Sequence, residues 1–369
     1  MKKILVVNVN WLGDVVFSTP VFRALKEQYP QAQVSCLAVP RVADVLAHVP
    51  FIDEVIVYDE KGRDRFLFGK IKLIARLRAG HFDSAFLLHG SWTRALLVFF
   101  GKIKLIARLR AGHFDSAFLL HGSWTRALLV FLAGIPIRVG YDTKRRGGLL
   151  THRVSAGEGA IHRSDFYLKV IEALGVPVNN RQTFLSVDEE ASRLVQKILF
   201  DLRIKKGDFI VVMHVGGNWS LKQWPVENFA KLADALAQDF KAKVVICGGK
   251  NDVALSEQIV ALSTCKPHIL AGKTSFSELV ALMKEASVVI SADSGPLHIA
   301  SSVGSSVIGL FGPTHPMVTG PRGSGTSHVI RYEVGCNAKP CYHLTCCDNI
   351  CMKAIGVKDV VSKIREIKN

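Results

Sequence analysis

A carboxylate follows the first apolar run of the chain, in the segment 10–14 (NWLGD). The run 4–9 (ILVVNV) is rich in branched apolar residues and predicts a buried strand. Asp14 is therefore expected near the carboxyl end of that strand, where the clefts of α/β proteins open. A carboxylate there can act as a general base that removes the proton from a hydroxyl nucleophile. The alternative is an ordinary helix cap, because aspartate is favoured at helix N-termini.

A second motif, the segment 291–298 (SADSGPLH), follows another apolar run and is expected to open a helix. The start of a helix presents free N–H groups and the positive end of the helix dipole, which together bind phosphate. Gly295 allows close approach of the backbone to a ligand, Ser294 adds a hydroxyl donor, and His298 lies within the first turn. Simple capping by Asp293 or Ser294 is the alternative.

A lysine stands in a third motif, the segment 214–225 (HVGGNWSLKQWP), between a Gly-Gly turn and a helix opened by proline. Lys222 can offset the negative charge that develops on a leaving diphosphate. The alternative is a solvated surface lysine.

Paired carboxylates of the form Asp-x-Asp are absent from the sequence. Because a divalent cation that carries a diphosphate is generally held by such carboxylates, we expect no metal cofactor. Five cysteines crowd the end of the chain, around His343: Cys336, Cys341, Cys346, Cys347 and Cys351. They could form a zinc site, but no Cys-x2-Cys pair is present, so reduced packing thiols are the preferred interpretation.

Regular elements must position these motifs, and the chain alternates apolar β-type runs with amphipathic stretches. The predicted strands span residues 4–9, 33–38, 55–58, 209–214, 243–247, 288–291 and 307–311. The predicted helices span residues 15–28, 160–174, 226–239, 253–262, 276–286 and 296–303. This alternation indicates an α/β fold with parallel sheets, and the polar segment 181–190 is interpreted as a linker between two domains.

The composition fits a globular protein with an anionic partner. A length of 369 residues predicts about two domains, and the net charge is +16. No nucleic-acid-binding motif is present, so a phosphorylated small molecule or lipid head group is favoured over nucleic acid. Surface solubility is the alternative reason for the charge. Polar residues interrupt the first apolar run and no long apolar segment follows, so we expect a cytoplasmic protein.

An exact repeat interrupts this pattern. Residues 68–99 and 100–131 are identical over 32 positions, and each copy contains about one strand and its flanking helical segments. Complete identity indicates a very recent duplication or an assembly error, because copies in different environments would diverge. We therefore expect one copy to be surplus to the fold.

The motifs resemble one known family. The segments 11–26 (WLGDVVFSTPVFRALK), 222–225 (KQWP) and 291–321 (SADSGPLHIASSVGSSVIGLFGPTHPMVTGP) are similar to glycosyltransferase family 9, the ADP-heptose:lipopolysaccharide heptosyltransferases. The resemblance implies a GT-B fold, in which two Rossmann-like doubly wound parallel-sheet domains face each other across a cleft. It places an acceptor-binding domain at residues 1–182 and an ADP-sugar-binding domain at 183–355. A final helix, 356–369, is expected to cross back to the first domain.

The resemblance also implies a reaction: inverting, metal-independent transfer of heptose from ADP-heptose to the phosphorylated inner core of lipopolysaccharide. No cofactor is implied beyond the donor substrate. Asp14 matches the family's proposed base, and Lys222 matches its diphosphate-binding lysine. The positions that match or are expected in donor binding are Asp293, Ser294, Gly295, His298 and Asp252, the last at the ribose hydroxyls. The expected acceptor contacts are Gly13, Arg145, Arg146, Arg153 and Arg163.

The implied acceptor is attached to a membrane lipid, so peripheral contact with the inner face of the cytoplasmic membrane is expected. Three alternatives stay open. One is a nucleotide-dependent oxidoreductase, although the first turn lacks the G-x-G-x-x-G fingerprint. Another is a nucleotide- or glycolipid-binding protein disabled by the duplication. The third keeps the fold and changes the nucleotide sugar or the acceptor.

Overall fold

The computed structural model describes residues 1–57, 106–157, 159–217, 219–336, 341, 346 and 348–368. The first copy of the repeat, residues 68–99, therefore lies outside the described residues. The second copy is described from residue 106 onward.

Two six-stranded parallel sheets form the framework. The first contains β1 (Lys3–Val7), β2 (Gln33–Ala38), β3 (Glu54–Val57), β4 (Ser116–Leu119), β5 (Ile137–Tyr141) and β6 (His152–Val154), in the order β3-β2-β1-β4-β5-β6. The second contains β7 (Ile210–His214), β8 (Lys243–Cys247), β9 (His268–Ile269), β10 (Val288–Ala292), β11 (Ser306–Leu310) and β12 (Ser327–Ile330), in the order β12-β11-β10-β7-β8-β9. Both sheets have the doubly wound Rossmann order, which confirms the predicted α/β fold.

The helices connect these strands and cover both faces of the sheets. In the first part of the chain they include α1 (Leu12–Gln28), α2 (Ala43–Ala47), α3 (Trp124–Leu132) and α4 (Arg163–Glu172). They continue with α5 (Glu189–Asp201), α6 (Val226–Phe240), α7 (Val253–Leu262), α8 (Phe276–Glu285), α9 (Gly295–Ser302), α10 (Pro316–Thr319), α11 (Ile350–Lys353) and α12 (Val357–Lys368).

Helix α1 lies where the two halves meet. All residues from Val15 to Phe22 are buried, because α1 packs against both α4 and α9. A helix that is apolar on most of its circumference has to be covered on several sides, and the two halves provide that cover. The start of α1, directly after β1, is thereby placed beside the second half of the chain.

The second copy of the repeat supplies part of the first sheet. Its strand β4 pairs in parallel with β1 on one side and β5 on the other. Its next helix, α3, then leads into β5 through a short connection. One copy is thus sufficient for the observed strand order.

The last helix differs from its prediction. Helix α12 packs against α6, β11 and β12 of the second half, and Val360 and Ile364 are fully buried in the same apolar cluster as α6. Lys368 Nζ donates to the carbonyl of Phe240 at 3.3 Å. The expected crossing to the first domain is therefore wrong, because the apolar face of α12 is buried against the second sheet.

Candidate active site

Asp14 lies in the first turn of α1, next to Gly13, which packs against His298 of the second half. Its Oδ1 accepts a hydrogen bond from the hydroxyl of Tyr167 at 2.8 Å. Arg163 Nε lies 3.9 Å from the same oxygen, and 28% of the Asp14 side chain is exposed. The capping alternative is wrong, because α1 has Trp11 at its N-cap and the described bond to Asp14 comes from a phenol rather than a backbone N–H.

Asp293 follows β10 and is almost completely buried, with 4% exposure. Its Oδ2 accepts from Lys222 Nζ at 2.8 Å and from Thr319 Oγ1 at 3.0 Å, and its Oδ1 lies 3.3 Å from His298 Nε2. Burial alone would raise the pKa of Asp293, but the hydrogen bond from His298 and the charge of Lys222 hold it well below its usual range. Asp293 is thus a fixed anion that orients its neighbours.

Lys222 is attached to Asp293 by two hydrogen bonds, since its Nζ also donates to the Asp293 carbonyl at 2.9 Å. An ammonium group has three donors, so one N–H remains for a further acceptor. The side chain keeps 23% exposure. Lys222 is therefore held in place yet accessible to an anionic ligand.

Ser294 precedes α9 but does not cap it with its side chain. Its hydroxyl instead lies 2.9 Å from Ser291 Oγ and 3.2 Å from His214 Nδ1. Burial lowers the pKa of His214 to about 4, so this histidine is neutral at physiological pH. The first N–H groups of α9 are consequently left without a side-chain cap, as an anion-binding helix start requires.

Two glycines allow the starts of α1 and α9 to touch. A Cβ atom on Gly13 would lie 3.2 Å from His298 Cδ2, and one on Gly295 would lie 2.1 Å from Leu12 Cδ2. The contact joins the end of β1 in the first sheet to the end of β10 in the second. It brings Asp14 and the loop that contains Asp293 together, as the sequence predicted for a cleft between two domains.

Asp252 lies beyond β8, at the start of α7. Its Oδ2 accepts the Gly249 N–H at 2.8 Å. A Cβ atom on Gly216 would lie only 1.9 Å from Asp252 Oδ1, so this carboxylate fits against the backbone that follows β7. Asp252 is thus at the carboxyl edge of the second sheet, where a nucleotide binds in Rossmann-like domains, and its ribose contact stays a prediction.

The basic residues predicted to contact the acceptor occupy different environments. Arg163 is beside Asp14, and its side chain is 42% exposed. Arg145 is exposed, with a left-handed φ of 56°, in the loop after β5. Arg153 lies 3.8 Å from Asp142 and lines an open cavity of about 580 Å³ with residues 154–157.

Arg146 corrects one prediction, because it is fully buried. Its Nε donates to the Tyr141 carbonyl at 2.8 Å, and its Nη1 donates to the His121 carbonyl at 2.6 Å. These bonds connect the loops that follow β4 and β5. Arg146 therefore braces the two loops and does not form a surface contact.

Two residues at the junction were not anticipated from the sequence. Tyr167, on α4, donates a hydrogen bond to Asp14 although the two residues are 153 positions apart in the sequence. His162 is the N-cap of α4, and its Nε2 lies 3.0 Å from the carbonyl of Gly320 in the second half. Tyr167 stands four positions after Arg163, so both lie on one face of α4, but the sequence does not show that this face meets α1.

The described residues form neither a cluster of metal ligands nor a membrane-spanning helix. Within the described ranges, no group of three or more His, Cys, Asp or Glu side chains is arranged to hold a metal ion. Cys336, Cys341 and Cys346 are free thiols, and Cys351 Sγ donates to Asn349 Oδ1 at 3.7 Å. Cys347 and His343 lie outside the described ranges. None of the described helices combines the length and apolar character needed to cross a bilayer.

Comparison with known protein families identifies the family to which the chain belongs. The family model for glycosyltransferase family 9 (heptosyltransferase) matches residues 102–348. The chain belongs to glycosyltransferase family 9. It is accordingly a glycosyltransferase, and the predicted resemblance is confirmed. The match begins within the second copy of the repeat and leaves the first copy out.

Individual members of the family are similar over almost the whole length. Lipopolysaccharide heptosyltransferase 3 of Escherichia coli (strain K12) is 29% identical over 368 residues, covering 97% of this chain and 96% of the relative. A crystal structure of the family 9 glycosyltransferase from Veillonella parvula DSM 2008 superposes with a TM-score of 0.80 at 24% identity, covering 99% and 97% of the two chains. The structure of E. coli ADP-heptose lipopolysaccharide heptosyltransferase II gives 0.73 at 24% identity, with coverages of 100% and 98%. These likenesses confirm the GT-B fold.

Proposed function

We propose that this glycosyltransferase moves heptose from ADP-heptose to a sugar hydroxyl of the lipopolysaccharide inner core, with inversion and without a metal ion. The observation that carries the proposal is the contact between the starts of α1 and α9. At this contact Gly13, the neighbour of the partly exposed Asp14, packs against His298 of the uncapped helix α9, and Lys222 is bonded to Asp293, which precedes the same helix. The similar E. coli proteins named above are lipopolysaccharide heptosyltransferases, which supports the choice of donor and acceptor.

The proposed reaction is a single displacement at the anomeric carbon of the donor. Asp14 accepts the proton of the acceptor hydroxyl while that oxygen forms a bond to the anomeric carbon. The bond between this carbon and the diphosphate oxygen breaks on the opposite face, and ADP leaves with the electron pair. Lys222 and the N–H groups at the start of α9 stabilise the negative charge that develops on the diphosphate.

The donor is proposed to lie along the carboxyl edge of the second sheet. Asp293 orients Lys222 and His298, so its role is to shape the diphosphate site rather than to contact the sugar. Asp252 would meet the ribose hydroxyls, since its carboxylate lies beside the loops after β7 and β8. Charge balance at the diphosphate is supplied by protein groups, and no step of this scheme requires a cation.

The acceptor is proposed to approach from the first half. Arg163 is beside Asp14, and Arg145 and Arg153 are exposed at the carboxyl edge of the first sheet. Guanidinium groups suit phosphate and carboxylate groups of a lipopolysaccharide core. The net charge of +16 would favour peripheral contact with an anionic membrane surface.

The test is transfer from ADP-heptose to a truncated lipopolysaccharide core, with the anomeric configuration of the product determined by NMR. Chelator-treated protein is expected to transfer heptose and to invert the anomeric centre. Retention of configuration, or activity that requires an added divalent cation, would contradict the mechanism. Transfer of another nucleotide sugar in preference to ADP-heptose would contradict the substrate.

A single-copy variant separates the reaction from the duplication. Deleting residues 68–99 or residues 100–131 gives the same chain, because the copies are identical. We expect this variant to be at least as active as the parent, since one copy supplies β4. Transfer by the variant but not by the parent would show that the duplication disables the enzyme; inactivity of both with an authentic acceptor would contradict the proposed reaction.

A further inference from the structure

One hydrogen bond sets the orientation of the Asp14 carboxylate. The Tyr167 hydroxyl donates to Oδ1 at 2.8 Å, whereas Oδ2 has no hydrogen-bond partner in the part of the chain that the structure describes. Arg163 Nε, at 3.9 Å, lies on the Oδ1 side as well and is too far for a direct hydrogen bond. The two carboxylate oxygens are thus unequal: one is held by the protein, and the other is left for a ligand.

Tyr167 is itself held rigidly. Its side chain is 2% exposed on α4, so the phenol has no room to rotate away from α1. The same helix is fixed to the first sheet by Tyr141, whose hydroxyl donates to the Phe166 carbonyl at 2.7 Å and whose ring stacks on Phe166 at 4.0 Å. At its other face, α4 is joined to the second half by Arg322, 2.8 Å from Asp165.

A phenol suits this position better than a charged donor. Burial, followed by the nearby Asp14 carboxylate, raises the pKa of Tyr167 well above its usual range, so the hydroxyl keeps its proton. A neutral donor can orient a carboxylate without neutralising it, whereas a direct ion pair would lower its basicity further. Among the described residues, Arg163 on the same helix as Tyr167 lies 3.9 Å from Asp14, and His298 of α9 packs against the neighbouring Gly13.

We infer that Tyr167 is a positioning residue for the reaction: by holding Oδ1 of Asp14, it directs Oδ2 into the cleft to receive the proton of the acceptor hydroxyl. This inference rests on the proposed role of Asp14 as the base. It concerns a residue outside the motifs of α1 and α9, and one that does not touch the substrate in this arrangement. Loss of the bond would let the carboxylate rotate about its side chain and misplace the reactive oxygen.

The test is Tyr167→Phe, which keeps the ring and removes the hydroxyl. We expect kcat to fall roughly tenfold to hundredfold, the range for a hydrogen bond to a charged group, with KM for both substrates unchanged within about twofold. A structural role alone would lower stability without this selective loss of kcat.

Tyr141→Phe is the matched control. It also removes one buried tyrosine hydroxyl that is bonded to the α4 region, but its partner is the Phe166 carbonyl rather than Asp14. We expect a similar loss of stability in denaturant unfolding and unchanged kcat and KM. Equal kinetic losses in the two variants, or parental kinetics in Tyr167→Phe, would overturn the inference.

Asp14→Asn distinguishes failure of this inference from failure of the proposed function. In that background Tyr167→Phe should add no further loss of kcat, because both residues act through one carboxylate. An active Asp14→Asn enzyme would refute the base itself. An inactive Asp14→Asn enzyme combined with parental kinetics of Tyr167→Phe would leave the base intact and refute the positioning role.

Discussion

Asp14 and Asp293 each follow a central strand of a different half, yet their surroundings are opposite. Each follows a central strand of a Rossmann-ordered sheet, β1 or β10, and each lies beside the start of a helix. Asp14 is partly exposed and is bonded to one neutral hydroxyl. Asp293 is buried and is bonded to Lys222, Thr319 and His298.

The different surroundings of the two carboxylates suit two different roles, a general base and a fixed anion. A base must have a free oxygen and must gain a proton during the reaction, so saturation by donors would disable it. An anchor must keep its charge and hold its neighbours, so several strong donors improve it. The surroundings of the two carboxylates therefore support a reactive role for Asp14 and an organising role for Asp293.

The largest effect on stability is expected from Asp293→Asn. Removing this buried charge leaves Lys222 without its counterion and disturbs the bonds of Thr319 and His298. The free energy of unfolding should fall by about 3–5 kcal/mol, the usual range for breaking a buried ion pair. Urea unfolding measures this loss, and Asp14→Asn is the matched control, with a loss expected below about 1 kcal/mol. Similar losses in both variants would contradict the comparison.

A smaller effect, on affinity, is expected from Lys222→Met. This change keeps most of the apolar stem and removes the charge proposed to meet the diphosphate. We expect ADP to bind about tenfold to hundredfold more weakly by calorimetry, because a charge-assisted hydrogen bond is lost. Lys197→Met is the control, since Lys197 is exposed on α5, away from the loops proposed to bind the donor. Unchanged ADP affinity in Lys222→Met would remove Lys222 from the donor site.

The smallest effect concerns the pH dependence of stability. Burial lowers the pKa of His162 to about 4 from 6.5, so the folded protein holds it neutral. Its contribution to stability is complete above pH 6.5 and is lost as the pH falls from 6.5 towards 4, where only the unfolded chain binds the proton. His162→Asn, which retains a good helix cap, should reduce the slope of unfolding free energy against pH in that window. If the slope of unfolding free energy against pH were unchanged, His162 would not be held neutral at its contact with the Gly320 carbonyl.

Much of the fold could be predicted from apolar periodicity. The predicted bounds 33–38, 243–247 and 253–262 agree with β2, β8 and α7, because each is a continuous run of strongly patterned residues. The strands β5, β6, β9 and β12 were missed, and of these β6 and β9 have only 3 and 2 residues, too few for a periodic signal. The packing of α12 was mispredicted because an amphipathic face indicates that it will be buried, but not against which sheet.

The site was predictable only where its residues are adjacent in sequence. The loop around Asp293 and the segment with Lys222 could be found as strings at strand ends, and the structure brings them into contact. Tyr167 could not be found in this way, since it reaches Asp14 through the packing of α4 on α1. The prediction for Arg146 was wrong for a related reason. A run of basic residues in the sequence does not reveal that one guanidinium is buried and donates to backbone carbonyls.

The most direct test of the central claim is a single-turnover measurement with Asp14→Asn at saturating ADP-heptose and acceptor, beside ADP calorimetry on the same protein. We predict that the rate of heptose transfer falls roughly hundredfold to ten-thousandfold, as for loss of a general base, while the affinity for ADP stays within about twofold of the parent. A single-turnover rate equal to that of the parent would contradict the assignment of Asp14 as the base.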